Sequence, residues 1–400
     1  MPLPDNLAAR RASAVGFGAA LVSAAGQTFF IGLFGAEFQQ ALALDAAQLG
    51  GLYALATLAS GVLMFWLGAS ADHLRLGHAL TLALVILAAG ALTVAAAFHP
   101  GVLLVGLFLL RLGGQGLAGH FAIVAAARFG GLRAGRGLSV VAFGFILGEG
   151  LFPFLVIAAL GALPWRAVWL LVLAAILLAL LALRRGSAPF PAPVDDVHGP
   201  DPDMRRLGRR RLLRSPVFLA ALSVVLVSAF VVTAIFLHLG TLTAHLDWPR
   251  QDLPMAFLCF AAAQALSNVA CGVWVDRVGV LAVTRFYLWP LAAALVAMVL
   301  LPGPVGLMLG FAGLGLTAGG QGVVGGALWL TLFGPARLGL VRGVYAAMMV
   351  FATAVSPWLL GRALASEVSL HVLALTFAAY AIVAPLAVVG LLRRARGNGT

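Results

Sequence analysis

Residues 109–116, with the sequence Leu-Leu-Arg-Leu-Gly-Gly-Gln-Gly, place Arg111 about ten residues inside a long apolar run. At that depth of a membrane-spanning helix, a charge costs roughly 3 kcal/mol or more unless it has a partner or a ligand. Residues 317–322, Thr-Ala-Gly-Gly-Gln-Gly, repeat the glycines and the glutamine in the second half of the chain but lack the arginine. The two stretches therefore predict a duplicated helical scaffold with one asymmetric charge near its centre.

The composition indicates an integral membrane protein. Hydrophobic residues make up 62% of the sequence and charged residues only 10%, which is more apolar surface than a soluble chain of 400 residues can bury. The apolar runs continue for twenty residues or more, the length of a membrane-spanning helix and not of a membrane-spanning strand. The sequence predicts an all-α membrane protein with about 12 transmembrane helices.

The predicted spans form two matching groups of six. They cover residues 12–36, 46–69, 79–98, 102–127, 138–162, 167–183, 216–240, 253–275, 280–301, 305–333, 343–365 and 370–392. Between the two groups the composition changes to proline, aspartate and arginine, which is typical of a solvated linker. We expect an N-terminal six-helix bundle at 1–185, a cytoplasmic linker at 186–215 and a C-terminal six-helix bundle at 216–400. Asp72 aligns with Asp276 and Gln115 with Gln321, so the two bundles are expected to be pseudo-symmetric.

The arginines predict the orientation in the membrane. Of the 25 basic residues, 21 fall at the termini, in the linker or in the loops on the same side. Because positive charge accumulates in cytoplasmic loops, both termini and the linker are expected to be cytoplasmic, in a multi-pass protein of a bacterial inner membrane. The formal net charge of +12 is thus explained by the lipid bilayer and does not indicate a nucleic-acid partner.

Two motifs resemble those of the major facilitator superfamily. Residues 272–279, Gly-Val-Trp-Val-Asp-Arg-Val-Gly, resemble the family's loop motif Gly-x-x-x-Asp-Arg-x-Gly, and residues 68–77 are a partial copy in the first half. Arg111 followed by residues 114–116 is similar to the family's motif in span 4, with Gln115 one position later than usual. The resemblance implies two six-helix bundles, a central cavity lined by spans 1, 4, 7 and 10, and transport by alternating access.

Residues 26–30, 111–120 and 136–149 together resemble a bacterial group related to monocarboxylate and oxalate/formate carriers. The membrane-buried charges that those carriers have on span 8 are absent from this sequence. This narrower resemblance implies an organic anion as the substrate.

Five residues are candidates for binding this substrate. Arg111 would bind a carboxylate through its planar guanidinium, and Gln27, Gln115 and Gln321 would orient it by hydrogen bonds. Phe30 is expected on the same helix face as Gln27. The alternatives are an ion pair between Arg111 and Glu149 that holds two helices together, and glutamines that join helices through hydrogen bonds.

Glu149 and His120 are candidates for carrying a coupling proton. Burial favours the neutral form of a carboxyl group, and an imidazole titrates near neutral pH. His120 lies nine residues from Arg111, about half a turn out of phase, so it is expected to face a neighbouring helix. Hydrogen bonding between packed helices is the alternative role for His120.

The cytoplasmic loops carry the candidate gating residues. Asp72 and Asp276 could pair with Arg128 or Arg342 and close the cytoplasmic side, and capping of the turns is the alternative. Their motif neighbours, Arg75 and Arg277, are included in this prediction.

The predicted function is secondary active transport of small organic anions, coupled to protons. One alternative is proton-driven efflux of amphipathic compounds, for which Phe29, Phe30, Phe34 and Trp329 would form an aromatic cavity. From other classes, a membrane-embedded receptor or enzyme is the alternative, although the sequence has no nucleophile constellation that supports one. The glycine-rich stretches lack the Gly-Lys-Ser/Thr sequence of a nucleotide site, and we expect no cofactor and no metal.

Overall fold

The chain is helical and crosses the membrane many times. The computed structural model describes residues 5–67, 74–129, 134–187, 190, 202–334 and 338–397. Within these ranges, 12 helices are long and apolar enough to span a membrane. These spans, numbered in chain order, are Ala9–Gly32, Ala46–Met64, Leu76–Ala95, Pro100–Ala126, Arg136–Ala162, Trp165–Ser187, Pro216–Leu237, Arg250–Val278, Val280–Leu300, Gly303–Phe333, Leu340–Ala365 and Leu370–Arg393. The predicted all-α membrane class is confirmed.

The chain divides into two compact units. Unit 1 contains Met1–Asp196 together with two short later segments, Phe236–Thr241 and Pro357–Arg362, and unit 2 contains the remainder. The domains at 1–185 and 216–400 stay a prediction, and parts of two later helices are grouped with unit 1. A Cβ atom added at Gly32 would collide with the carbonyl oxygen of Phe236, which shows how closely one of these segments approaches.

Unit 1 is built from helices with two irregular segments. Its helices are Asp5–Ser23, Thr28–Gly32, Gly35–Leu42, Ala46–Leu67, Leu76–Ala95, Pro100–Leu110, Gly119–Phe129, Ala134–Ala162 and Trp165–Ser187, with a 3-10 turn at Ala24–Gly26 and a π-helix at Arg111–Ala118. The sequence predicts uninterrupted helices at both irregular segments.

Span 1 is interrupted in the middle of its apolar run. After the 3-10 turn, Gln27 is extended, with φ −90° and ψ 155°, and a new helix begins at Thr28. The interruption lies against span 4, because a Cβ atom at Gly26 would collide with the carbonyl oxygen of Leu110 and would lie 2.8 Å from Cα of Gly114. Such irregular backbone is tolerated at membrane depth where protein surrounds it or where it lines a polar cavity.

Span 4 contains the π-helix. Its start is regular, with Pro100 in the first turn and the His99 ring accepting a hydrogen bond from the backbone N–H of Gly101 at 3.0 Å. The π-helix then coincides with the glycine-rich stretch, where the absence of side chains lets neighbouring backbones approach. A Cβ atom at Gly113 would lie 2.5 Å from the backbone nitrogen of Leu87 in span 3. A π-helix inside an α-helix is frequently found at functional sites.

The rest of the chain, which forms unit 2 and the two short segments of unit 1, is also helical. Its helices are Pro202–Leu213, Pro216–Val225, Val227–Leu237, Leu239–His245, Leu253–Val278, Val280–Thr284, Trp289–Leu300, Gly303–Phe333, Leu338–Ala365 and Leu370–Gly397, with a 3-10 turn at Arg250–Asp252. Span 10 stays α-helical through residues 317–322, so the repeated sequence of the two halves does not produce the same local structure. The first of these helices lies inside the predicted linker.

Candidate functional site

The guanidinium of Arg111 is enclosed between the first, second and fourth spans. Its Nη1 atom donates to the carbonyl oxygen of Gly26 at 3.3 Å and to Oγ1 of Thr28 at 3.4 Å. The guanidinium carbon lies 5.1 Å from the centre of the Tyr53 ring, within the range of a cation–π interaction. The side chain is 4% exposed. Both irregular segments of unit 1 therefore meet at this group.

The positive charge of Arg111 has no carboxylate partner among the residues that the structure describes. A guanidinium has five N–H donors, and here Nη1 meets neutral acceptors while Nε has no hydrogen-bond partner. The alternative pair with Glu149 is thus not found. A buried cation without an anion is unfavourable, so the site is chemically suited to a negatively charged ligand.

Polar groups of span 2 complete the surroundings of Arg111. Tyr53 is fully buried, and its hydroxyl is hydrogen bonded to Thr28 at 2.5 Å. Thr57 lies one turn further along the same helix face, and its buried hydroxyl has no hydrogen-bond partner in the described part of the chain. Sequence reasoning missed Tyr53, Thr28 and Thr57. The four-residue spacing of Tyr53 and Thr57 in an apolar span was a signal that could have revealed them.

The three predicted glutamines lie in different environments. Gln27 is half-buried at the interruption of span 1, where its Nε2 donates to Oγ of Ser23 at 3.4 Å. Gln115 is exposed, whereas Arg111, four residues earlier, is buried, and the role of Gln115 in substrate binding stays a prediction. Gln321 belongs to unit 2, and its Nε2 lies 3.8 Å from the sulfur of Met349.

Thr317 occupies the position in unit 2 that corresponds to Arg111. Its side chain is fully buried, and its hydroxyl donates to the carbonyl oxygen of Gly313 in the same helix at 2.9 Å. The hydrogen-bonding capacity of this position is therefore used within its own helix. The polar groups found together in unit 2, Gln321 and Tyr345, are uncharged.

The aromatic residues pack as structural clusters. Phe30 is 3% exposed, with its ring centre 5.7 Å from that of Trp169 and 5.9 Å from that of Phe152. Phe34 lies 4.9 Å from Trp169 by the same measure. This placement favours a packing role for Phe30 over direct contact with a substrate.

Trp329 has the same kind of environment in unit 2. It is 1% exposed, and its ring centre lies 5.2 Å from that of Phe218 and 5.4 Å from that of Tyr345. The aromatic residues considered for a drug-binding cavity are thus buried against one another within their own units.

The two candidate proton carriers are both half-buried. Glu149 lies in span 5 one residue after Gly148, where a Cβ atom would be 3.1 Å from the side chain of Ala24. Span 5 therefore passes close to the interruption of span 1. His120 follows the π-helix, and its ring centre lies 5.7 Å from that of Phe121. Both residues make interactions within the protein, and their role in proton transfer stays a prediction.

The predicted gating residues are only partly described. Asp72 and the side chain of Arg128 lie outside the described residues. The four others, Arg75, Asp276, Arg277 and Arg342, are exposed. No ion pair joins Asp276 to Arg342 within the described ranges, and gating by these residues stays a prediction.

A buried histidine lies in the later segment that packs into unit 1. His238 follows the last residue of span 7, is 1% exposed, and its Nε2 is 2.7 Å from the carbonyl oxygen of Pro357. Its Nδ1 atom has no hydrogen-bond partner among the described residues. Burial lowers the pKa of His238 to about 4, opposed in part by this hydrogen bond. The neutral imidazole is thus the form that the fold accommodates.

Comparison with known proteins decides the family. The sequence pattern of the Major Facilitator Superfamily matches residues 16–257, more than half of the chain. The chain belongs to the Major Facilitator Superfamily. As a member of this superfamily it is a transporter that binds small molecules within the membrane. No protein with a curated description matches the sequence significantly.

Solved structures of other transporters share the fold of this superfamily member. The nucleoside transporter NupG superposes with a TM-score of 0.72 at 15% sequence identity, over 96% of this chain and 98% of that one. A variant of NupG gives a TM-score of 0.73 at 14% identity, over 95% and 99% of the two chains. A bacterial homologue of the human lysosomal transporter Spinster, in an inward-facing and unoccupied conformation, superposes with a TM-score of 0.64 at 14% identity, over 98% of this chain and 95% of that one. At these identities the similarities show the fold alone.

Proposed function

We propose that this protein is a secondary active transporter of small organic anions, chiefly carboxylates, which works by alternating access and is coupled to protons. The observation that carries the proposal is the enclosed guanidinium of Arg111, which has no carboxylate partner among the described residues. An arginine fork fits a carboxylate through two parallel hydrogen bonds. A carboxylate substrate would supply the missing negative charge.

The setting of Arg111 supports a role in binding over a role in holding helices together. Its neighbours are the interrupted span 1 and the π-helix of span 4, and discontinuous helices commonly form substrate sites in transporters. A purely structural arginine would be expected to have an acidic partner, because burial of an unpaired charge is unfavourable.

Two other substrate classes serve as comparisons. Nucleosides are suggested by the fold similarity to NupG, but a neutral nucleoside would leave the charge of Arg111 without compensation. Amphipathic drugs need an accessible apolar surface, whereas Phe30 and Trp329 are buried in aromatic clusters. The carboxylate proposal therefore predicts a substrate order with organic anions ahead of nucleosides and cationic dyes.

Uptake by purified protein in liposomes tests the proposal. Radiolabelled monocarboxylates and dicarboxylates should accumulate, and an excess of nucleosides or cationic dyes should not compete. Arg111→Ala should abolish uptake, with Arg111→Lys as a second variant that keeps the charge but not the fork. Undiminished carboxylate uptake by Arg111→Ala would overturn the anion proposal.

Proton coupling through Glu149, with His120 as a second candidate, has its own test. An imposed pH gradient should drive accumulation by the unmodified protein, and Glu149→Gln should lose that response. The exposed loop residue Glu367 gives the control variant Glu367→Gln, which should respond as the parent does. Uptake that ignores the gradient, or a gradient response that survives Glu149→Gln, would contradict the coupling.

The charge distribution supports an orientation with both termini in the cytoplasm of a bacterial cell. In that orientation the end of span 8, with Asp276 and Arg277 in its last turn, faces the cytoplasm, and we assign these two residues to gating together with Asp72, Arg75, Arg128 and Arg342. Labelling of single cysteines placed in the linker and at Ala365 from either side of sealed vesicles tests it. Access to the linker from outside an intact cell would reverse the assignment.

A further inference from the structure

The segment between spans 6 and 7 contains a short helix with a high density of arginine. The helix Pro202–Leu213 has the sequence PDMRRLGRRRLL, and only Arg214 and Ser215 separate it from Pro216, where span 7 begins. The backbone N–H of Ser215 donates to the carbonyl oxygen of Leu212 at 2.9 Å, and the Ser215 hydroxyl accepts from the N–H of Phe218 at 3.4 Å. The helix is therefore joined directly to the start of a span and has to lie at the membrane surface.

One face of this helix packs against unit 2. A Cβ atom added at Gly208 would lie 2.9 Å from a methyl carbon of Leu340, at the start of span 11. Leu212, one turn later on the same face, is 7% exposed. Gly208 and Leu212 thus help to hold the helix in place.

The other side of the helix presents positive charge. Arg210, Arg211 and Arg214 are exposed, and Arg209 between them and Gly208 is half-buried. Among the side chains that the structure describes, no acidic group is placed in an ion pair with Arg210, Arg211 or Arg214. Three cations therefore lie on, or directly after, one short, anchored helix at the level where lipid headgroups begin.

We propose that this face of the helix Pro202–Leu213, with Arg214, binds the headgroups of anionic phospholipids. Clusters of basic residues directly next to a membrane span are attracted to acidic headgroups, and arginine forms bidentate hydrogen bonds with phosphate. The two-residue connection to span 7 brings the arginines to the lipid surface without any motion of the helix. An acidic protein partner is the competing occupant, and the experiment below distinguishes the two.

Thermal unfolding of the full chain in mild detergent, with added short-chain phospholipid, measures this binding. Phosphatidylglycerol should raise the unfolding temperature more than phosphatidylcholine does, because a ligand of the folded state stabilises it. In the variant Arg210→Gln/Arg211→Gln/Arg214→Gln, the phosphatidylglycerol concentration that gives half of the maximal rise in unfolding temperature should increase. The increase should be roughly fivefold per arginine, or about 100-fold in total. High salt should weaken the effect for the unmodified protein.

A second variant controls for the loss of positive charge. Arg250 and Arg362 are exposed arginines, not clustered with others, on the side of the membrane opposite the linker, so Arg250→Gln/Arg362→Gln should prefer phosphatidylglycerol over phosphatidylcholine as the parent does. Equal shifts with the two lipids for the unmodified protein, or an unchanged response in the linker variant, would overturn the proposal. Both results would leave an acidic protein as the occupant.

A second measurement keeps all the arginines and so does not depend on how the variant folds. Leu213 is 41% exposed and can carry a fluorophore as Leu213→Cys in a chain whose Cys259 and Cys271 are replaced by serine. In bilayers of mixed lipids, brominated phosphatidylglycerol should quench this fluorophore more strongly than brominated phosphatidylcholine at the same mole fraction. Equal quenching by the two lipids would contradict the enrichment of anionic lipid at the helix.

Discussion

The guanidinium carbon of Arg111 lies 5.1 Å from the ring centre of Tyr53, and the hydroxyl of that tyrosine is hydrogen bonded to Thr28, which also accepts from Arg111. These contacts join the second, first and fourth spans around one cation. All of them are to neutral groups. The arrangement keeps the guanidinium in place and leaves its charge available for an anion.

Replacement of Arg111 separates a binding role from a structural role. Arg111→Met should lower carboxylate transport by roughly 10- to 100-fold or more, the value of hydrogen bonds to a charged group. The same change should leave the stability unchanged or raise it by about 1–4 kcal/mol, because it removes a buried charge that has no carboxylate partner among the described residues. Uptake assays and thermal unfolding in detergent measure the two effects.

Arg166 provides the control for this substitution. Its Nη2 donates to the carbonyl oxygen of Ala97 at 2.7 Å and its guanidinium carbon lies 4.2 Å from the Trp165 ring centre, so it has local structural contacts. Arg166→Met should lower stability and leave the apparent substrate affinity unchanged. A strong loss of stability in Arg111→Met would instead indicate that Arg111 is a structural residue.

The ring and the hydroxyl of Tyr53 are expected to contribute differently. Tyr53→Phe keeps the cation–π contact and removes the hydrogen bond to Thr28, so the KM for uptake should rise only a few-fold. Tyr53→Leu removes both the ring and the hydroxyl. The KM for uptake should then rise by roughly a further 30-fold, because a desolvated cation–π interaction contributes about 2 kcal/mol. Equal KM values for the two variants would show that the ring does not orient Arg111.

The contact between spans 1 and 4 depends on the small size of Gly26. Gly26→Ala would place a methyl group into the carbonyl oxygen of Leu110, so the backbones have to separate, at a cost of about 1–3 kcal/mol or more. Gly322 in span 10 serves as the control position, because a Cβ atom there meets nothing within 4 Å. Gly322→Ala should be neutral or stabilising by up to about 1 kcal/mol. The unfolding temperatures of Gly26→Ala and Gly322→Ala measure this difference. Equal unfolding temperatures would contradict the close contact between spans 1 and 4.

His238 should make the stability depend on pH. The pKa of an unfolded histidine is about 6.5, whereas burial lowers that of His238 to about 4. As the pH falls from 6.5 towards 4, the unfolded chain gains a proton at this residue before the folded chain does, so stability present above pH 6.5 is lost. Between pH 6.5 and pH 4 the free energy of unfolding should fall by on the order of 3 kcal/mol.

Unfolding temperatures at pH 7.5, 5.5 and 4.5 measure the dependence on His238. His238→Gln keeps a side-chain donor for the carbonyl oxygen of Pro357 and should flatten the pH profile. His371, which is exposed, provides the control His371→Gln with the profile of the parent. A profile that His238→Gln does not change would assign the acid sensitivity to other groups.

The spans could be predicted from the sequence because membrane insertion depends on the length and polarity of each segment by itself. The interruption at Gln27 and the π-helix at Arg111–Ala118 could not, since they arise where the backbones of Gly26 and Gly114 meet, residues far apart in the chain. A pattern of residues along one helix carries no information about which other backbone will lie against it.

The site residues divide in the same way. Arg111 was recognisable because a charge inside an apolar run needs a reason of its own, whereas its neighbours Thr28 and Tyr53 have no such local signature. Phe30 shares a helix face with Gln27 in a regular helix, but the interruption before Thr28 and the rings of the fifth and sixth spans place it in a packed cluster. The charge of residues 186–215 predicts a solvated linker, and the apolar contacts of Gly208 and Leu212 explain why part of it is a helix.

The π-helix of span 4 has a consequence for the length of this segment. A π turn holds about one more residue than an α turn, so the stretch from Arg111 to Ala118 behaves as an α-helix into which a single residue has been inserted. In a regular helix an insertion would rotate everything after it by roughly 100°, whereas the wider turn absorbs it and keeps both flanks in phase with their neighbours. Deletion of one of its glycines would then return the span to plain α-helix and move Gln115 to the position that the glutamine has in related transporters.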